Sequence, residues 1–144
     1  MSGAERLYTP GLLALALRLA DYPWDDSLPN KGDARSKSCG STLAVAFDLD
    51  EGGRISRLAL KVRACAVGQA SAAIFADAAV GRGLEDIRIA RDATVRWLEG
   101  EGPLPEWPGM EAIEPARGYP GRHGAMMLPW EAVLAALSTE RTSG

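Results

Sequence analysis

The chain is poor in the residues that would make it a secreted, membrane or nucleic-acid-binding protein. Its 144 residues contain two cysteines, Cys39 and Cys65, too few for the disulfide framework of a small secreted domain. The sequence alone leaves a Cys39–Cys65 disulfide open. The longest apolar run near the N-terminus, Leu12–Leu17, is cut short by Arg18 and Asp21 and falls far below the ~20 residues of a membrane span. There is no excess of positive charge: the net charge is −3 and the pI about 5.2, with Lys and Arg scattered, which argues against nucleic acid as a ligand. No Gly-rich phosphate loop, Ser-His-Asp order or His-Glu-x-x-His pattern occurs. These absences predict a cytoplasmic protein that meets neither membrane nor nucleic acid.

What is present reads as one domain over residues 1–144, with 47% hydrophobic and 24% charged residues, a length and balance suited to a single packed core. Thr9-Pro10 is a helix-start signal, and Leu12, Leu13, Leu15, Leu17 and Leu19 predict a largely buried helix ending near Asp21. Residues 23–38 read as a loop. From Thr42 the apolar period changes to two, with Leu43, Val45, Phe47 and Leu49 on one side. After the turn Asp50–Gly53 a second alternating run sets Leu58, Leu60 and Val62 against Arg57, Lys61 and Arg63. The two runs predict an antiparallel hairpin.

Cys65 then opens an Ala-rich helix that Gly81 and Gly83 terminate, and a further helix is expected over about Asp92–Leu98. Residues 100–124, rich in Pro and Gly, read as an irregular connection. The last helix holds Trp130, Val133, Leu134 and Leu137, and either begins at Pro129 or carries an earlier turn that Pro129 strains. Trp24, Trp97, Trp107 and Trp130 read as packing or loop anchors. Helices on a small antiparallel sheet make an α+β fold.

The chemistry falls on the thiols. Cys39 sits in a small-residue loop before the first strand of the hairpin, and Cys65 at the start of a helix, where backbone N–H groups favour the thiolate. Hairpin geometry predicts that both lie at one end of the sheet. Against this, a free cysteine is often just a small buried hydrophobe. His123, the only histidine, is a candidate ligand in a Gly-rich loop, and Asp25, Asp26 and Asp33 are ordinary turn formers that could also offer oxygen.

Ser38-Cys39-Gly40-Ser41, the hairpin and Cys65-Ala66-Val67-Gly68-Gln69-Ala70-Ser71-Ala72 resemble the U-type iron–sulfur cluster assembly scaffolds: IscU, SufU and the N-terminal part of NifU. Gly81-Arg82-Gly83-Leu84 resembles that family's Gly-Lys-Ser/Gly-Leu turn. Tyr119-Pro120-Gly121-Arg122-His123-Gly124-Ala125, with Leu128 and Trp130, is similar to the segment around its third cysteine. The likeness spans about residues 7–138.

The resemblance implies a scaffold or accessory protein rather than an enzyme. Such a protein accepts sulfur from a cysteine desulfurase and passes a cluster to acceptor proteins. Family cysteines fall on Cys39 and Cys65, the family aspartate on Ser41, and the third cysteine on Ala125. The implied ligands for iron, a [2Fe–2S] cluster or zinc are therefore Cys39, Cys65, Ser41 and His123, in a monomer or a cluster-bridged homodimer. Two alternatives stand beside this reading: a two-cysteine thiol peroxidase, and a degenerate homologue that only binds protein.

Overall fold

The structure, a computed structural model, describes residues 9–37 and 40–143, with side chains as far as residue 137. Cys39 therefore lies outside the described residues. Helix α1 spans Pro10–Leu17 and runs on as a 3-10 turn over Arg18–Asp21. Thr9 caps it, its hydroxyl accepting from the Leu12 N–H at 3.2 Å, while Pro10 takes the first position, where no N–H is needed. Strands follow at Asn30–Arg35 (β1), Thr42–Leu49 (β2) and Ile55–Arg63 (β3), then helices Ala66–Ala79 (α2), Leu84–Leu98 (α3) and His123–Ser143 (α4). Between α3 and α4 the chain forms two 3-10 segments, Met110–Gly118 and Pro120–Arg122.

Among the described residues the sheet has three antiparallel strands in the order β1–β2–β3. The predicted hairpin is its β2–β3 half, closed by a turn in which the Asp50 carboxylate accepts from the N–H groups of Gly52 and Arg54 at 2.9 and 3.0 Å. Gly53 there has φ +78°, a conformation that side-chain-bearing residues rarely adopt. The segment read as a loop over 23–38 contains β1, which pairs with β2 from Asn30↔Phe47 to Arg35↔Thr42. Its sequence, Asn-Lys-Gly-Asp-Ala-Arg, has no β-branched or aromatic residue, so nothing local marks it as a strand. Tertiary contact makes it one: α4 lies across it so closely that a Cβ at Gly32 would overlap the Ala132 carbonyl oxygen and sit 2.7 Å from the Ala136 Cβ.

Two further expectations change, and a third, left between two alternatives, is decided for the earlier helix start. Helix α3 begins at Leu84, not Asp92, because the Asp86 carboxylate accepts from the Gly83 N–H at 3.1 Å and fixes an earlier start. Helix α4 begins at His123, so Pro129 lies inside it. Helix α1 is mostly uncovered: Leu12 is buried, but Leu13 is 45% and Leu17 78% exposed, since α1 rests on α2 by one side.

The core lies between the sheet's inner face and the helices. Helix α2 runs through it, with Val67, Ala70, Ala72, Ala73, Ile74 and Phe75 all buried; small side chains let neighbours come close on several sides. At its middle, Phe75 stacks on Trp107 at 5.4 Å, and Trp130 meets both rings edge to face at 5.4 and 5.5 Å. The Trp107 N–H donates to the Ile74 carbonyl at 3.0 Å, whereas the fully buried Trp130 Nε1 has no hydrogen-bond partner. Arg82 closes the cluster, its guanidinium 4.1 Å from the Trp107 ring centre. Thus Trp97, Trp107 and Trp130 are core residues, and Trp24 is half-buried on the sheet's other face beside Leu28, Ala46 and Ala59.

Candidate functional site

Strand β3 ends at Arg63, whose partner is Thr42, the first residue of β2. The sheet therefore ends where Ser41 enters β2 and Ala64-Cys65 leaves β3. The connection from β1 is tight: the Ser36 N–H donates to the Ser41 carbonyl at 2.8 Å, and the Gly40 N–H to the Ser36 carbonyl at 3.2 Å. Ser36 and Ser41 are both buried. This end of the sheet holds Ser41 and Cys65, two of the residues singled out in the sequence.

Cys65 is the N-cap of α2, in extended conformation with φ −65° and ψ 170°. It is a free, half-buried thiol that also packs against the core cluster. Its carbonyl accepts from the Gln69 N–H at 2.9 Å, and the Gln69 side chain donates to the Ala64 carbonyl at 2.8 Å. Gln69 thus ties the strand end to the first turn of the helix and fixes where Cys65 projects.

The start of α4 reaches the same turn. Gly68 has no side chain because Ala125 and Ala64 occupy its surroundings: an added Cβ would lie 3.2 Å from the Ala125 Cβ and 2.8 Å from the Ala64 Cβ. One turn further on, the Ser71 hydroxyl donates to the Met126 carbonyl at 2.7 Å in the core. Pro129 has no N–H, so the Ala125 carbonyl lacks its usual helical donor. Ala125 is wholly buried.

His123, two residues earlier, is half-buried, with Nε2 2.7 Å from the Arg117 carbonyl oxygen. A carbonyl only accepts, so Nε2 is the donor in this contact, and when the ring is neutral its lone pair is on Nδ1. That is the state in which histidines ligate metals while donating to a backbone carbonyl.

Among the described residues no three of His, Cys, Asp and Glu come together to hold a metal ion. Asp25 is engaged elsewhere, accepting from Ser27 N–H and Oγ at 2.9 and 2.6 Å, which holds its carboxyl below the ordinary range. Asp26 accepts from the Trp24 N–H at 2.9 Å, and Asp33 lies on the exposed outer face of β1. Arg63, the cation nearest Cys65 in sequence, is exposed on the outer face of β3. Sequence reasoning missed the seam between Gly68 and Ala125; a glycine in the first turn of an Ala-rich helix was the one local signal for it.

No helix among the described residues is long and apolar enough to cross a membrane. No protein-family model and no curated protein sequence matches the chain. Solved structures do. The NifU-like protein (N-terminal) of Brucella abortus, described as nitrogen-fixing, is 30% identical with a TM-score of 0.88, covering 99% of this chain and 100% of that one. The SufU protein of thermophilic Fervidobacterium islandicum AW-1 carries the provisional description of an iron–sulfur cluster assembly scaffold for the SUF system. It is 18% identical with a TM-score of 0.81, over 92% of this chain and 97% of that one. A hypothetical protein solved at 2.3 Å shares the fold at 19% identity and a TM-score of 0.66, over 88% of this chain and 96% of that one.

Proposed function

This chain belongs to the family of NifU-like N-terminal proteins, and from that premise we propose that it is a scaffold or accessory protein of iron–sulfur cluster assembly. The observation that carries the reading is Cys65 at the N-cap of α2, within a chain that matches a NifU-like protein along its whole length. Iron and sulfide are its cargo. Cys65 and Cys39 are the proposed sulfur-bearing residues, with Ser41 and His123 as auxiliary ligands.

In the proposed first step the Cys65 thiolate attacks the outer sulfur of a persulfide on a cysteine desulfurase. A new S–S bond forms on Cys65, the old one breaks, and the desulfurase cysteine leaves as thiolate. Gln69 keeps the strand end from swinging away.

Holding a finished cluster needs more. Structural zinc takes four ligands and cluster irons take mainly thiolates, whereas Ala125 offers none. Among the described residues the donors do not close such a site. A [2Fe–2S] cluster is completed by Ser41 and His123 or by thiols from outside, from a second copy or from the acceptor protein, and an open ligand set suits a protein that hands cargo on.

The test is iron and acid-labile sulfide in anaerobically purified protein incubated with a desulfurase, cysteine and ferrous iron. Parent protein should carry both, and Cys65→Ser and Cys39→Ser should each lower them sharply. Equal contents in all three would overturn the proposal.

A further inference from the structure

Among the described residues the helices cover one face of the sheet, and the other is open towards the row of Arg35, Thr42 and Arg63. Register places Arg35, Thr42 and Arg63 in one row across this outer face, and Asp33, Ala44 and Lys61 in the next. On the central strand Thr42 and Ala44 are short and half-buried; the four charged residues on the flanking strands are exposed. Low floor and tall walls enclose a trough of about 260 Å³. Paired strands lie about 4.8 Å apart, so β1 and β3 stand roughly 10 Å apart, room for one extended chain.

Trp24 stops the trough at its far end, with Lys61 Nζ 4.9 Å from its ring centre. The trough's near end is the row of Arg35, Thr42 and Arg63.

The walls carry three cations and one carboxylate, in a chain whose net charge is −3. Among the described residues Arg35, Lys61 and Arg63 form no ion pair, although Arg57 on the same face of β3 pairs with Asp25 at 3.6 Å. Arg35 and Arg63 flank Thr42 from the two outer strands, with Lys61 two positions before Arg63 on β3, and an anionic occupant would offset their like charge. Two arginines suit carboxylates in particular, since the guanidinium fork matches them in pairs. The acidic balance of the whole chain disfavours a long polyanion such as nucleic acid.

We infer that this trough docks an extended acidic segment of a partner protein, its carboxylates on Arg35, Lys61 and Arg63. The inference stands apart from the cargo reading, because it needs no metal or sulfur on the thiols. The probe is a fluorescein-labelled decapeptide of Glu and Gly, titrated with the full chain by fluorescence anisotropy at two ionic strengths. It should bind, weaken as salt rises, and bind about tenfold or more weakly to Arg35→Glu/Arg63→Glu. Arg88→Glu, on α3, should leave binding unchanged. Circular dichroism checks each fold, with Arg35→Gln/Arg63→Gln standing in if the reversed variant does not fold. Absent binding, binding indifferent to the trough substitutions, or tighter binding of a single-stranded oligonucleotide of equal charge would overturn the inference.

Discussion

The two ends of one helix do different work. The middle and C-terminal half of α2 stack Phe75 on Trp107 and are sealed by Trp130 and Arg82, so the buried side chains there pack against rings. Its first turn carries a half-buried thiol, a glycine and an alanine seam, with little bulk and free N–H groups. The lesson is a division of labour along a single helix. Rigid aromatic packing fixes the axis, and the cap can then hold a reactive atom without contributing much to stability.

That contrast is broken most severely by Trp130→Ala, which empties a fully buried indole site and should cost about 4 kcal/mol in urea unfolding. Trp130→Phe keeps the ring contacts and removes the unpartnered N–H, so its cost should be far smaller. Gly32→Ala comes next. Its methyl would collide with the backbone of α4, and about 3 kcal/mol of stability should be lost, although the site lies on an edge strand far from the rings.

Ser71→Ala removes a buried bond to the Met126 carbonyl and should cost about 1 kcal/mol, loosening α4 against α2 near Ala125. A still smaller effect is expected at the outer rim. There Asp77 accepts from Arg18 Nε at 2.7 Å and from the Tyr22 hydroxyl at 2.5 Å. Burial alone would raise the Asp77 carboxyl, but the hydrogen bonds from Arg18 and Tyr22, with the Arg18 charge, outweigh it and lower it. Its folded-state value is depressed, so its contribution is present above about pH 5 and lost as pH falls through that value. Parent protein and Asp77→Asn should therefore differ in thermal stability at neutral pH and converge in acid. The smallest stability change should come from Cys65→Ser, near zero in urea, while its iron and sulfide content collapses. A large loss of stability there would place the thiol among the structural residues after all.

Much of this was legible in the residues. The period-two runs at 42–49 and 57–63 and the Ala-rich helix behind Cys65 are local patterns, and they appear as β2, β3 and α2. Strand β1 was illegible because its small residues are chosen for the approach of α4, a contact more than ninety positions away. The early start of α3 was readable in principle from Gly83 and Asp86. The exposure of Leu13 and Leu17 was not, since leucine count says how much apolar surface exists and not what covers it. At the site, hairpin logic put Cys39 and Cys65 at one end of the sheet; Cys65 is there beside the start of β2, Cys39 lies outside the described residues, and the Gly68–Ala125 seam needed the fold. One wall of the basic trough showed in the alternation of β3; the other belonged to the unrecognised strand.

The aromatic cluster also makes the protein its own optical gauge. Trp107 and Trp130 lie 5.5 Å apart at an interplanar angle of 78°, close enough for their transitions to couple and give a strong near-ultraviolet dichroism. Trp24 sits alone on the outer face, beside the Lys61 ammonium. Unfolding of the interior and occupation of the trough would therefore be reported by different chromophores, one through ellipticity and the other through emission, in the same unlabelled sample.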